Sequence, residues 1–164
     1  LEQCQQREIA PEYLFLGTGT GGTLAGLAAG RRLMGGPEIV AINVSPKDGG
    51  YPGRTAALGT QALAAIGCDE VLLPEEFSTD LGYYGEGYEI PAVAATRAIR
   101  QLARTEGIIV DPVYTGKALS GLIDYVQTGK IAPGATVVFW HTGGATALFA
   151  EPEIVGAVAE KEMD

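Results

Sequence analysis

The chain has 164 residues, 46% of them apolar, enough for one substantial core and too many for a disordered segment. Its net charge of −9 and pI near 4.6 come with only 11 Lys and Arg, scattered along the sequence, which argues against a nucleic-acid partner. No apolar stretch approaches the ~20 residues needed to span a bilayer, and no charged-then-apolar leader opens the sequence. Cys4 and Cys68 stand apart without metal-ligand spacing, so the expectation is a cytoplasmic protein with free thiols and no metal.

Short apolar, β-branched runs alternate with Ala- and Leu-rich stretches, the pattern of βαβ units on a parallel sheet. A strand over 13–16 leads into Gly17-Thr18-Gly19-Thr20-Gly21-Gly22-Thr23, then into a helix over 23–34 that stops at Gly35-Gly36-Pro37. A strand over 39–44, a helix over 53–66 closed by Gly67, and a strand over 70–73 follow. Residues 77–89 interleave Gly82, Gly85 and Gly87 with Tyr83, Tyr84 and Tyr88, a flexible, aromatic loop suited to covering a ligand. The pattern then predicts a helix over 91–106, whose Arg97, Arg100 and Arg104 form a solvated face beside an apolar stripe. A strand over 108–110, a helix over 116–128 ended by Gly129, and a strand over 136–141 complete five strands and four helices.

The glycine loop is the most informative of these segments. Glycines let the backbone approach an anion, and the N–H groups and positive dipole end of the next helix face it. The loop has an echo, since Thr20-Gly21-Gly22-Thr23 is similar to Thr142-Gly143-Gly144-Ala145. Each follows a strand, so both belong at the carboxyl edge of the sheet, where open α/β sheets bind ligands. Gly17, Gly19 and Gly22 satisfy G-x-G-x-x-G, which makes a dinucleotide site the obvious rival. That rival needs an acid at the end of the second strand, where the sequence has Asn43-Val44-Ser45. A nucleotide triphosphatase would need a Gly-Lys-Ser/Thr ending, which the loop lacks.

Further along, Gly107-Ile108-Ile109-Val110-Asp111-Pro112-Val113-Tyr114-Thr115-Gly116-Lys117-Ala118, then Gly121-Leu122-Ile123-Asp124, resembles a known family. The run is similar to the C-terminal half of the D-cysteine desulfhydrase and 1-aminocyclopropane-1-carboxylate deaminase family, pyridoxal-phosphate enzymes of the tryptophan-synthase-β-like fold. Gly87-Tyr88-Glu89-Ile90-Pro91, His141-Thr142-Gly143-Gly144, Ala147-Leu148-Phe149-Ala150 and the opening glycine loop fit the same family in the same order, from about residue 13 to residue 150.

The resemblance implies a three-layer α/β/α domain, incomplete as a fold, spanning 1–164 as the C-terminal part of a two-domain enzyme. It implies pyridoxal 5'-phosphate as cofactor, with the phosphate held by Thr18, Gly19, Thr20, Gly21, Gly22 and Thr23, and with Thr142 and Gly143 close to the cofactor. Thr115 occupies the position that faces the pyridine nitrogen. A hydroxyl there, rather than the deaminase branch's acid, leaves the nitrogen largely neutral and favours the desulfhydrase branch. Tyr88 would stand beside the cofactor and influence the leaving group through its O–H, and Tyr114 would wall the ring in a catalytic or a structural role. His141 is read as a satisfied core or loop histidine, and Asp111-Pro112 as a turn in which the carboxylate caps the following helix.

Such enzymes hold their cofactor through a lysine, and Lys47, Lys117, Lys130 and Lys161 all read as surface residues. The family places that lysine in an N-terminal segment before the glycine loop. Together with Leu1 in place of Met, this predicts a truncated, split or proteolysed enzyme, inactive without that segment. The expected activity is β-elimination from a small amino acid, D-cysteine, to pyruvate, sulfide and ammonia, in a homodimer. The alternatives are the cyclopropane-acid deaminase and a non-catalytic phosphate-binding fragment. Glu89 and Ala92 depart from the family's usual residues on the substrate side.

Overall fold

The computed structural model of the protein describes residues 2–155; Leu1 and Lys161 lie outside them. Strands β1 (Tyr13–Thr18), β2 (Glu38–Asn43), β3 (Thr79–Asp80) and β4 (Val137–Phe139) form a sheet of order β3-β2-β1-β4, with every neighbouring pair parallel.

Side chains alternate across the sheet, as the period of two along a strand requires. Leu14, Leu16, Ile39, Ala41 and Val138 serve one face, where α2 (Gly22–Met34) and α3 (Tyr51–Ala65) contribute Leu24, Ala29, Ala56 and Leu63. Phe15, Val40, Ile42, Val137 and Phe139 serve the other, against Ala118 and Leu122 of α5 (Thr115–Gln127). Outside α5 packs α4 (Val93–Glu106), through Ala98 and Ile99 against Leu119. This is the expected three-layer α/β/α arrangement. Phe15, Leu16, Ile42 and Leu63 are fully buried, each burial stabilising the fold by roughly 1.5–3 kcal/mol. Short helices α1 (Glu2–Gln6) and α6 (Pro152–Val155) and short 3-10 stretches at Pro74–Glu76 and Ala145–Ala150 complete the described chain.

Two expected strands are absent from the sheet. At 70–73 the backbone N–H groups are taken elsewhere: that of Leu72 donates to Thr60 Oγ1 at 3.0 Å and that of Leu73 to Glu76 Oε1 at 2.7 Å. Leu72 nevertheless packs into the core, so the apolar run is a buried connection without a ladder. At 108–110 the carbonyl of Ile109 bonds the His141 imidazole at 2.9 Å, and Ile108 and Ile109 are half exposed. The fourth strand is instead β3, two residues within the stretch read as loop, and β4 is shorter than 136–141. Arg100 is also more than a solvated charge: its guanidinium donates to the carbonyls of Glu153 and Ile154 at 2.7 and 3.2 Å.

Candidate functional site

Strands β1 and β4 are adjacent and parallel, with Tyr13 opposite Val137 and Phe15 opposite Phe139, and the Trp140 N–H donates to the Phe15 carbonyl at 2.8 Å. The two glycine loops that leave these strands therefore emerge side by side at the carboxyl edge. The chain crosses from β1 to β2 on one side of β1, while β4 lies on the other, so this edge is a topological switch point, the usual ligand position in such sheets. A cleft of about 310 Å³ opens there, walled by residues 17–23, by Thr142, Gly143 and Gly144, and by Asp111 and Tyr114. No Lys, Arg or His lines it among the described residues.

The first wall is built for an anion. Helix α2 begins at Gly22 with no side chain capping its N-terminus, which leaves first-turn N–H groups for a ligand. Its cap, Gly21, has φ 94°, a left-handed conformation, and a Cβ there would lie 2.6 Å from Thr55 Oγ1. Thr20 and Thr23 are exposed. Thr18 is buried and its hydroxyl shares a 2.7 Å hydrogen bond with that of Tyr51. Lys47 reaches this region without entering the cleft: its ammonium donates to Ser45 Oγ at 2.6 Å and lies 5.2 Å from the Tyr51 ring centroid. Burial, with Arg54 adding to it, holds its pKa below the ordinary lysine value.

The floor is organised by Asp111. Its carboxylate accepts the N–H groups of Val113, Tyr114 and Thr115 at 2.7–2.8 Å and the Thr115 hydroxyl at 2.5 Å. With four donors on its two oxygens, the carboxylate is held by hydrogen bonds within its own turn. The expected cap into the last long helix is thus present. Thr115 is fully buried and does not line the cleft: its hydroxyl donates to Asp111 Oδ1 and accepts the Asp111 N–H at 2.9 Å.

Tyr114, on the turn before α5, meets Tyr88 of the glycine–tyrosine loop. Their hydroxyls are 2.7 Å apart and their rings cross edge to face at 5.7 Å between centroids. Burial, and then the Tyr88 hydrogen bond, push the Tyr114 phenol up to about 12. His141 arranges the second glycine loop: Nε2 donates to the Ile109 carbonyl and Nδ1 accepts the Gly143 N–H at 3.0 Å. It is a satisfied loop histidine, as its position suggests.

The described family of pyridoxal-phosphate dependent enzymes matches residues 1–143 of this sequence. The chain belongs to that family. It is similar to the D-cysteine desulfhydrase of Salmonella typhi, 35% identical over 153 residues, which cover 92% of this chain and 45% of the relative. The D-cysteine desulfhydrase of Salmonella newport is 36% identical over 152 residues, covering 91% and 44%. Among solved structures, one described as a crystal structure analysis of the ACC deaminase homologue superposes with a TM-score of 0.79 at 31% identity, covering 93% of this chain and 45% of that one. The chain thus spans slightly under half the length of these relatives.

The site fits this family's cofactor at its phosphate end. An uncapped helix N-terminus and threonine hydroxyls around a 310 Å³ cleft suit a phosphate dianion. Family membership displaces the dinucleotide rival. Asn43, where that rival needs an acid, is fully buried and donates its amide to Thr79.

One residue in this region contradicts the sequence reading outright. Lys117, expected on the surface, is fully buried, and its ammonium donates to the carbonyls of Gly87 at 2.7 Å, Tyr88 at 2.8 Å and Val44 at 3.4 Å. The missed signal is the run around it: Thr115 to Gly121 carries no other charge, and all seven residues are buried. Lys130 is exposed, 4.2 Å from the Tyr125 ring centroid, and Lys47 is half-buried.

Proposed function

We propose that the chain supplies the phosphate-cradling domain of a pyridoxal-phosphate-dependent lyase that converts D-cysteine and water to pyruvate, hydrogen sulfide and ammonia. The observation that carries the reading is the pair of glycine loops on β1 and β4, facing each other beside the Tyr88–Tyr114 hydroxyl pair. The curated relatives named D-cysteine desulfhydrase support the choice of substrate.

The chemistry that the cofactor supplies when bound is withdrawal of electrons from the α-carbon of an amino acid. In this reading the N–H groups and hydroxyls of residues 18–23 bind its phosphate, with Thr142 and Gly143 on the opposite wall. Thr115 keeps its proton on Asp111 and so offers only a lone pair to any partner. Tyr114 keeps its phenol protonated at neutral pH, so the hydroxyl pair that it forms with Tyr88 is placed to donate a hydrogen bond to the departing sulfur. The domain boundaries, a homodimeric assembly and a cytoplasmic location belong to the same proposal; among the described residues no helix is long and apolar enough to cross a membrane.

The test is an assay of the intact parent enzyme for sulfide and pyruvate from D-cysteine. Absence of both products from cofactor-loaded protein refutes the substrate. A second reading, deamination of 1-aminocyclopropane-1-carboxylate, draws on the solved relative described as an ACC deaminase homologue, and product from that acid alone would establish it. Reversible cofactor binding with no borohydride-reducible adduct would instead mark a non-catalytic phosphate-binding chain.

A further inference from the structure

Lys117 is an expensive residue to place where it is. Its amine is removed from water, and it sits in the first turn of α5, where the helix dipole disfavours a cation. Burial lowers its pKa, opposed only by the field of Asp111. Three backbone carbonyls on two other segments compensate it: Val44, just beyond β2, and Gly87 and Tyr88, on the glycine–tyrosine loop. Two of the three acceptors are thus the peptide carbonyls of the residue that bears the Tyr88 phenol and of its predecessor.

That loop has few other ties. Tyr83 anchors its start by donating to Asp124 Oδ2 at 2.6 Å. Beyond Tyr83, the side chains of Glu86, Tyr88, Glu89 and Ile90 are exposed. The hydroxyl pair with Tyr114 holds the tip of the Tyr88 side chain, and only Lys117 holds its backbone among the side-chain hydrogen bonds of the described residues. Because Lys117 is three residues from Tyr114 on the same turn of chain, one short segment fixes Tyr88 from both ends.

We propose that Lys117 is the positioning residue for Tyr88: its ammonium binds the Gly87 and Tyr88 carbonyls and ties them to Val44, so that the Tyr88 hydroxyl meets that of Tyr114 at the cleft. The role assigned to Tyr88 rests on the proposed function, whereas the clamp itself does not.

The test is made on the full chain without cofactor, so its outcome is independent of the lyase reading. Lys117→Met keeps the apolar stem and removes the donors. Amide hydrogen exchange over residues 82–91 should accelerate about tenfold or more in the variant, while the core amides of β1 and β2 keep their protection. Tyrosine ring-carbon NMR gives the second readout: the Tyr88 and Tyr114 signals, assigned with Tyr88→Phe and Tyr114→Phe, should shift, and those of Tyr13 and Tyr125 should stay. Unchanged exchange over 82–91 with unchanged Tyr88 and Tyr114 signals would overturn the proposal, as would equal changes at all four tyrosines. Should Lys117→Met not fold, the wild-type chain still decides the matter. A lysine ammonium signal protected from solvent, with Overhauser contacts to the α-protons of Gly87 and Tyr88, is expected, and its absence refutes the clamp.

Discussion

The Tyr114 hydroxyl lies 2.8 Å from the point that a β-carbon on residue 19 would occupy, so the glycine loop and the tyrosine pair are fitted to each other. Gly19→Ala must displace the phenol, which breaks its bond to Tyr88 and crowds the cleft. Pyridoxal phosphate titrated by fluorescence should bind about tenfold more weakly, a loss of about 1.4 kcal/mol. Gly26 is the internal control. It is exposed within α2 and a β-carbon there meets nothing within 4 Å, so Gly26→Ala should stabilise the fold by about 0.5–1 kcal/mol in urea denaturation and leave binding unchanged.

Asp111 concentrates more hydrogen bonds than any other side chain at the site. Asp111→Ala leaves three N–H groups and the Thr115 hydroxyl without their acceptor, two of these four donors on the fully buried Thr115. The expected cost is about 2–4 kcal/mol in guanidinium unfolding. Asp111→Asn retains one oxygen acceptor and should recover part of that loss. Equal stability of Asp111→Ala and wild type would contradict the assigned role of the turn.

Alkaline titration should find three reluctant phenols, Tyr83, Tyr114 and Tyr125, each raised chiefly by burial. Tyr114 is raised from the ordinary value of 10 to about 12, so the folded state binds its proton more tightly than the unfolded state does. Its stabilising contribution is therefore complete below pH 10 and is lost as pH rises from 10 towards 12. Tyr88→Phe removes the second cause of the shift, and the Tyr114 phenolate absorbance should then appear at lower pH in a difference titration. An unmoved titration in that variant would deny the hydroxyl pair.

The buried Thr18–Tyr51 hydroxyl bond ties the start of the glycine loop to α3. A double-mutant cycle of Thr18→Val and Tyr51→Phe should give a coupling energy of about 0.5–1.5 kcal/mol. A coupling near zero would mean that the two hydroxyls find other partners once separated.

Much of this site is legible in one-dimensional patterns because backbone geometry makes it. The echo of Thr20-Gly21-Gly22-Thr23 in Thr142-Gly143-Gly144-Ala145 foretells two loops at one sheet edge, and the structure brings them onto neighbouring strands. Asp111 before a helix reads as a cap because an acceptor at that spacing meets free N–H groups. What the pattern hides depends on distant partners. Residues 70–73 look like a strand by apolar content, but Thr60 and Glu76 take the N–H groups that a ladder would need. Lys117 looks like a solvated cation until Val44, Gly87 and Tyr88, as many as 73 residues away, present their carbonyls.

That no cation lines the cleft among the described residues has a thermodynamic corollary. A doubly charged phosphate must approach a chain of net charge −9 and, among the described residues, is met at the end by dipoles rather than by an ammonium or guanidinium. Short N–H···O contacts are scarcely touched by mobile ions, whereas the long-range repulsion is damped beyond a Debye length of about 10 Å at 0.1 M salt. Capture of the anion should then quicken and tighten as ionic strength rises, the reverse of what holds where arginines or lysines supply the attraction.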